Sequence, residues 1–197
     1  MKPGTQFLAP DLSAPLDLAA HLALAPRDGT VKGMFFRKVL DETRAVTGRS
    51  LRDGSYLQFR DYPLADWLIL LHEAARYAYP KLPMRAGLKQ LGRSMYPTLA
   101  DSMVGRVVLS VAAGNLVRAL PVYPRLWSLI SNHASAEVDE LTPGRVVIRL
   151  RNAWDFLDSF EFGALAAGMG LFGIDAHVKV ALLGPCDADY EVTWVPA

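Results

Sequence analysis

The sequence predicts an α+β fold in which a helical N-terminal half of about five helices packs on a four-stranded antiparallel sheet, ordered strand, strand, helix, strand, strand. Three observations predict it. Up to His133 the apolar residues recur every three or four positions, and beyond it they alternate. Each alternating region contains a turn signal, Thr142-Pro143-Gly144 in one and Gly184-Pro185-Cys186-Asp187 in the other. A run of helices followed by hairpin-paired strands, with no strand-helix alternation in the first half, argues for an antiparallel sheet.

Residues 1–25 are punctuated by proline and hold one short helix after Pro15, with Asp17 in its first turn and Leu18, Leu22 and Ala25 at helical spacing. A second helix runs from about Lys32 to Thr47, because Met34, Phe35, Lys38, Val39 and Glu42 keep the helical period and Gly48 stops it. Asp61 is the expected N-cap of a third, with Pro63 close behind and an apolar stripe of Leu64, Trp67, Leu68, Leu71 and Ala75 that ends at Pro80. Pro83 opens a fourth through Arg93. Pro97 opens or kinks the next, carried by Leu99, Met103, Val107, Val108 and Val111 to the Gly114-Asn115 stop. Val122 to Asn132 forms a further short helix with Leu126, Trp127 and Ile130 inward.

After His133, Val146, Ile148 and Leu150 alternate with Val147, Arg149 and Arg151, and the turn before them pairs this strand with Glu137 to Leu141. Asp158 begins the intervening helix, with Glu161 three residues later as a capping-box partner. The Gly and Ala of residues 160–172 let that helix lie close on the sheet. Val178, Val180 and Leu182 pair with Tyr190, Val192 and Trp194 as a second hairpin. A sheet unit of roughly 60 residues alone would leave one face bare, so one composite domain over 1–197 is expected, with 1–135 its helical half and 136–197 its sheet half.

With 51% hydrophobic and 21% charged residues, the composition excludes disorder and collagen-like repeats. The single Cys186 cannot close an intrachain disulfide, and no basic start followed by an apolar run opens the chain, which points to a reducing cytoplasm. The apolar stretches Leu64 to Leu71 and Val107 to Ala113 are too short to span a bilayer, so no membrane span is expected. The net charge of +1 hides an asymmetry: residues 1–136 hold 17 basic and 10 acidic side chains, residues 137–197 hold 4 and 10. The basic residues stand singly along helices, which reads as solvated faces and not as a nucleic-acid surface; a complementary contact between copies, giving a homodimer, is the second reading.

No motif announces a reaction. Gly168-Met169-Gly170-Leu171-Phe172-Gly173 fits the dinucleotide spacing, but it closes a helix and precedes a strand, where the helix dipole repels phosphate. His72-Glu73 opens like a zinc-protease helix, but Arg76 stands where the second histidine is needed. His21, His133 and His177 lack partners at ligand spacing, so no metal is expected. Cys186 has acidic neighbours in Asp187 and Asp189, which oppose a reactive thiolate. Asp155, Asp158 and Glu161 are near one another, and capping accounts for the last two.

Four stretches, Val31-Lys32-Gly33-Met34-Phe35-Phe36, Asp61-Tyr62-Pro63, Tyr96-Pro97-Thr98 and Phe160-Glu161-Phe162-Gly163, resemble an uncharacterised paralogous family of similar length from myxobacteria. The order of elements is similar to the superfamily joining haem nitric-oxide-binding domains, 4-vinyl-reductase-type ligand-binding domains and TRAPP vesicle-tethering subunits. That resemblance implies either a ligand between the two halves or a surface used for assembly. Its haem branch would need a Tyr-x-Ser-x-Arg string, whereas Tyr56-Leu57-Gln58-Phe59-Arg60 has Gln in place of Ser, and His72 is the only helical axial candidate. Its acylated branch carries a cysteine in the helical half, whereas Cys186 lies in the last hairpin. The expectation is therefore a non-enzymatic cytoplasmic small-molecule-binding or regulatory domain without a cofactor. Its apolar pocket between helices and sheet would be lined by Phe35, Trp67, Leu71, Trp127, Phe162 and Met169. The alternative is a TRAPP-like homodimeric scaffold with a filled core.

Overall fold

In a computed structural model, which describes residues 6–52, 54–95 and 115–195, the helical period of the first half becomes a series of amphipathic helices. These are α1 (Leu18–Leu24), α2 (Gly33–Thr47), α3 (Leu64–Ala78) and α4 (Met84–Arg93), then α5 (Leu116–Ala119), a 3-10 turn at Leu120–Val122 and α6 (Tyr123–Ile130). Asp17 caps α1 by accepting from the Ala20 amide at 2.9 Å. Gly48 ends α2 at φ 73°. The helix expected between Pro97 and Gly114 lies outside the described residues.

The entry to α3 departs from expectation. Asp61 is not its N-cap. It belongs to a short strand, β2 (Asp61–Pro63), paired antiparallel with β1 (Thr30–Lys32). The register sets Lys32 opposite Asp61, and the ammonium holds the carboxylate at 2.8 Å. The first amide of α3, on Leu64, is satisfied by the Gly29 carbonyl at 2.8 Å.

The period-two segments form β3 (Ser135–Thr142), β4 (Arg145–Arg151), β5 (Ala176–Leu182) and β6 (Ala188–Trp194), one antiparallel sheet in the order β3-β4-β6-β5. Both hairpins are where the turn signals place them, and β4 pairs with β6 to join them. One face is apolar, with Val146, Ile148, Leu150, Tyr190 and Val192 fully buried. On the opposite face arginines of β4 meet carboxylates across the strands, Arg149 with Asp139 at 2.6 Å and Arg151 with Asp189 at 2.6 Å. Outside the four strands, Leu8 exchanges two backbone hydrogen bonds with Val180 of β5, at 3.0 and 2.9 Å.

The segment between the hairpins also departs from expectation. Asp158 and Glu161 do not form a capping box. Leu157–Glu161 is a π-helical turn, entered through Phe156 at φ 50°, and α7 (Phe162–Gly170) follows. Helix α4 lies against this turn so closely that side chains are excluded between them. A Cβ on Gly92 would stand 2.0 Å from the Phe160 carbonyl oxygen, and one on Gly163 would stand 2.2 Å from that of Lys89. The small residues thus seat α7 against α4 as well as against β5. In this arrangement Asp158 pairs with Arg85 of α4, and Glu161 turns inward.

Two apolar cores result. One, under the sheet, gathers Leu120, Tyr123, Trp127, Ile148, Leu165 and Tyr190. The other, among the helices, gathers Phe36, Trp67, Leu68, Leu71, Leu91 and Phe160. The chain from Phe156 to Phe162 supplies both: Phe156 and Phe160 enter the helical core, Leu157 and Phe162 the sheet core.

Candidate ligand-binding site

Where the two cores meet, the side chains leave a cavity of about 70 Å³. The helical core contributes Val31, Trp67, Met95 and Phe160, with Phe35 packed against it; the sheet core contributes Tyr123 and Trp127. Two carboxylic acids, Asp155 and Glu161, complete the wall. Each is delivered by the strained segment just described: a bulky residue at positive φ followed by a π-turn is an uncommon backbone, of a kind concentrated at functional sites.

The acids are placed in surroundings that oppose their charge. Burial pushes Asp155 up to about 6, and the indole Nε1–H of Trp67, donating to its Oδ1 at 2.6 Å, offsets only part of that effect. Burial, with the charge of Asp155 adding to it, pushes Glu161 up to about 8. The Tyr123 hydroxyl donates to Glu161 Oε1 at 3.2 Å and pulls the other way. Near neutral pH the pair therefore resists full ionisation. Among the described residues no lysine, arginine or histidine forms an ion pair with either acid.

Of the six residues expected to line a pocket, Phe35, Trp67 and Trp127 face this cavity. Leu71 is fully buried within the helical core, and Phe162 and Met169 lie in the sheet core, where α7 covers the strands. Among the described residues the wall comes mainly from helices and the π-turn, with Val31 from β1, and none of it comes from the four-stranded sheet. Tyr123, Phe160, Asp155 and Glu161 are not among the residues expected to line a pocket, Glu161 being assigned to a helix cap. The available signal was Trp154 to Phe162, where three acids stand among five aromatic or large apolar residues with no base beside them.

The remaining reactive groups stand apart from the cavity. His21 Nε2 donates to the Trp154 carbonyl at 2.8 Å. His72 lies on α3 with its pKa lowered by burial and by Arg76. Burial, and Asp187 beside it, push the Cys186 thiol up. Among the described residues no group of three or more His, Cys, Asp or Glu is placed to hold a metal ion, and no helix is long and apolar enough to cross a membrane.

A family model described as "Protein of unknown function (DUF2378)" matches residues 25–195. A comparison with curated proteins finds no match. Among solved structures, the fold is similar to that of an Fe(II) unliganded H-NOX protein from K. algicida, at 14% identity and TM-score 0.61, covering 84% of this chain and 97% of that one. It is similar to an H-NOX protein from S. oneidensis in the Fe(II)NO state, at 15% identity and TM-score 0.61, covering 83% and 98%. An oxygen-binding H-NOX domain related to soluble guanylate cyclases matches at 12% identity and TM-score 0.64, covering 83% and 94%. The described residues of the cavity do not fit a haem. Among the described residues no imidazole and no thiol lines the cavity, and haem propionates would face two carboxyls there instead of a cation.

Proposed function

The chain belongs to the DUF2378 family, and from that premise together with its H-NOX-like fold we propose that it is a non-enzymatic, cytoplasmic small-molecule-binding domain of sensory type. The halves 1–135 and 136–197 act as one composite domain, with the ligand held between their cores. The observation that carries this reading is the position of the cavity. Its wall is assembled from α2, α3, α6 and the π-turn, so an occupant touches both cores and can bias how they pack. A filled interior would need no acids there. The unpaired Cys186 fits a reducing compartment.

Native mass spectrometry of the purified full chain, paired with thermal melts, tests the proposal. A retained small molecule is expected, and a compound present at about 100 times its Kd should stabilise the protein by about 2.7 kcal/mol. Reconstitution with reduced haem should give no stoichiometric Soret band, with or without His72→Ala. A chain that carries nothing and whose melt no compound moves would instead be an interaction scaffold with a filled core.

A further inference from the structure

Resting on that reading of the cavity, we propose that its ligand is a small organic cation, the ammonium head of a methylated or short-chain amine, held by aromatic faces and by Asp155 with Glu161. The rings that line the cavity pack edge to face. Trp67 stands at 65° to Phe35 and 83° to Phe160, with centroids 6.4 and 5.8 Å away, and Tyr123 stands at 70° to Trp127 at 6.5 Å. Rings turned so steeply to one another present π faces in more than one direction, which is how a cation is surrounded and not merely stacked. Plain packing explains aromatic walls, but it does not explain two acids among them. Glu161 is 5% exposed, and Asp155, half-buried, lines the same cavity.

The chemistry separates this class from other occupants. A hard metal ion wants six or more oxygen ligands, and two carboxyls among indoles do not supply them. An alkylammonium ion gives up its water more readily and recovers the loss from π faces and a carboxylate. The size agrees. The cavity of about 70 Å³ exceeds the space of two waters and is smaller than the ~150 Å³ that admits benzene. A head group fits, and any longer substituent would leave past Ile130 and Ser131, both partly exposed on the wall.

Among the described residues, the groups that face the acids are each other, Trp67 and Tyr123. Of the three cations on the adjoining α4, Arg85 pairs with Asp158, Lys89 stands over the Phe162 ring at 5.0 Å, and Arg93 is exposed. Binding of the cation should therefore strengthen as the pair ionises.

Calorimetric titration of the full chain with methylammonium chloride, a head group small enough for the cavity, with neutral methanol as the near-isosteric control and sodium chloride as the salt control, tests the assignment. Saturable methylammonium binding is expected, at least tenfold tighter than methanol and at least tenfold weaker at pH 5 than at pH 8.5. The double variant Asp155→Asn/Glu161→Gln should lose that preference and the pH dependence. If methanol binds as tightly, or the double variant binds the cation unchanged, the cation assignment is overturned and a ligand cavity stands. If neither probe binds while native mass spectrometry finds another molecule retained, the assignment is again overturned alone. If nothing binds and nothing is retained, both readings fall. Should the double variant not fold, the comparison of cation and neutral probe on the wild type decides.

Discussion

A carboxyl that keeps its proton when folded and releases it when unfolded ties stability to pH, and Asp155 and Glu161 do so with the same sign. Their folded values of about 6 and about 8 lie above the ordinary 3.8 and 4.5, so between those limits the native state holds more protons than the unfolded chain. Their contribution to stability is fully present below about pH 4 and is lost as pH rises through about 8, at up to roughly 1.4 kcal/mol per pH unit for each group in its own window. Glu161→Gln should therefore be more stable than wild type at pH 9 and nearly equal to it at pH 4, as urea midpoints at the two pH values will show. An equal or lower midpoint at pH 9 would mean that Glu161 is not held protonated. This part of the molecule was the least legible in the sequence. Asp158 and Glu161 carry the spacing of a helix cap, and only the approach of Tyr123 and Arg85, 38 and 73 residues away in sequence, turns one acid inward and pairs the other.

Strands whose partner is the next strand were easily read, because Val146, Ile148 and Leu150, then Tyr190, Val192 and Trp194, state both face and register locally. Elements fixed by distant pressure were not. The three-residue β1 is too short for alternation to show, and its pairing with β2 removes Asp61 from the cap of α3. The π-turn likewise exists because α4 crosses it at backbone contact. Gly92→Ala or Gly163→Ala would force a methyl into the Phe160 or Lys89 carbonyl, and each should cost roughly 1–3 kcal/mol or more by chemical denaturation. Because this contact sets the π-turn that aims Glu161, either variant should also weaken ligand retention beyond its effect on folding. A neutral outcome for both would mean that α4 can slide on the turn at little cost.

At the scale of the whole molecule, the two cores share the segment from Phe156 to Phe162, which cannot leave one without disturbing the other. Unfolding followed by far-ultraviolet circular dichroism and by near-ultraviolet signals of the buried tryptophans should therefore give coincident transitions. Separate midpoints would divide the chain into two units near residue 135. The broad architecture was legible in the sequence because period and turn signals are local, whereas the cavity depends on which rings of two cores fail to meet, and no local pattern encodes that. The single bridge between Leu8 and Val180 bears on a different matter, the fate of the protein at high concentration. An open sheet offers two rims to passing strands, and here one rim is blocked midway by the chain's own Leu8. The other, β3, is lined with Glu137, Asp139 and Glu140 and breaks register near Glu140, at φ 50°. Copies that add strand to strand would have to expel a segment on one side or press like charges together on the other, so the sheet is guarded against runaway fibre-like polymerisation.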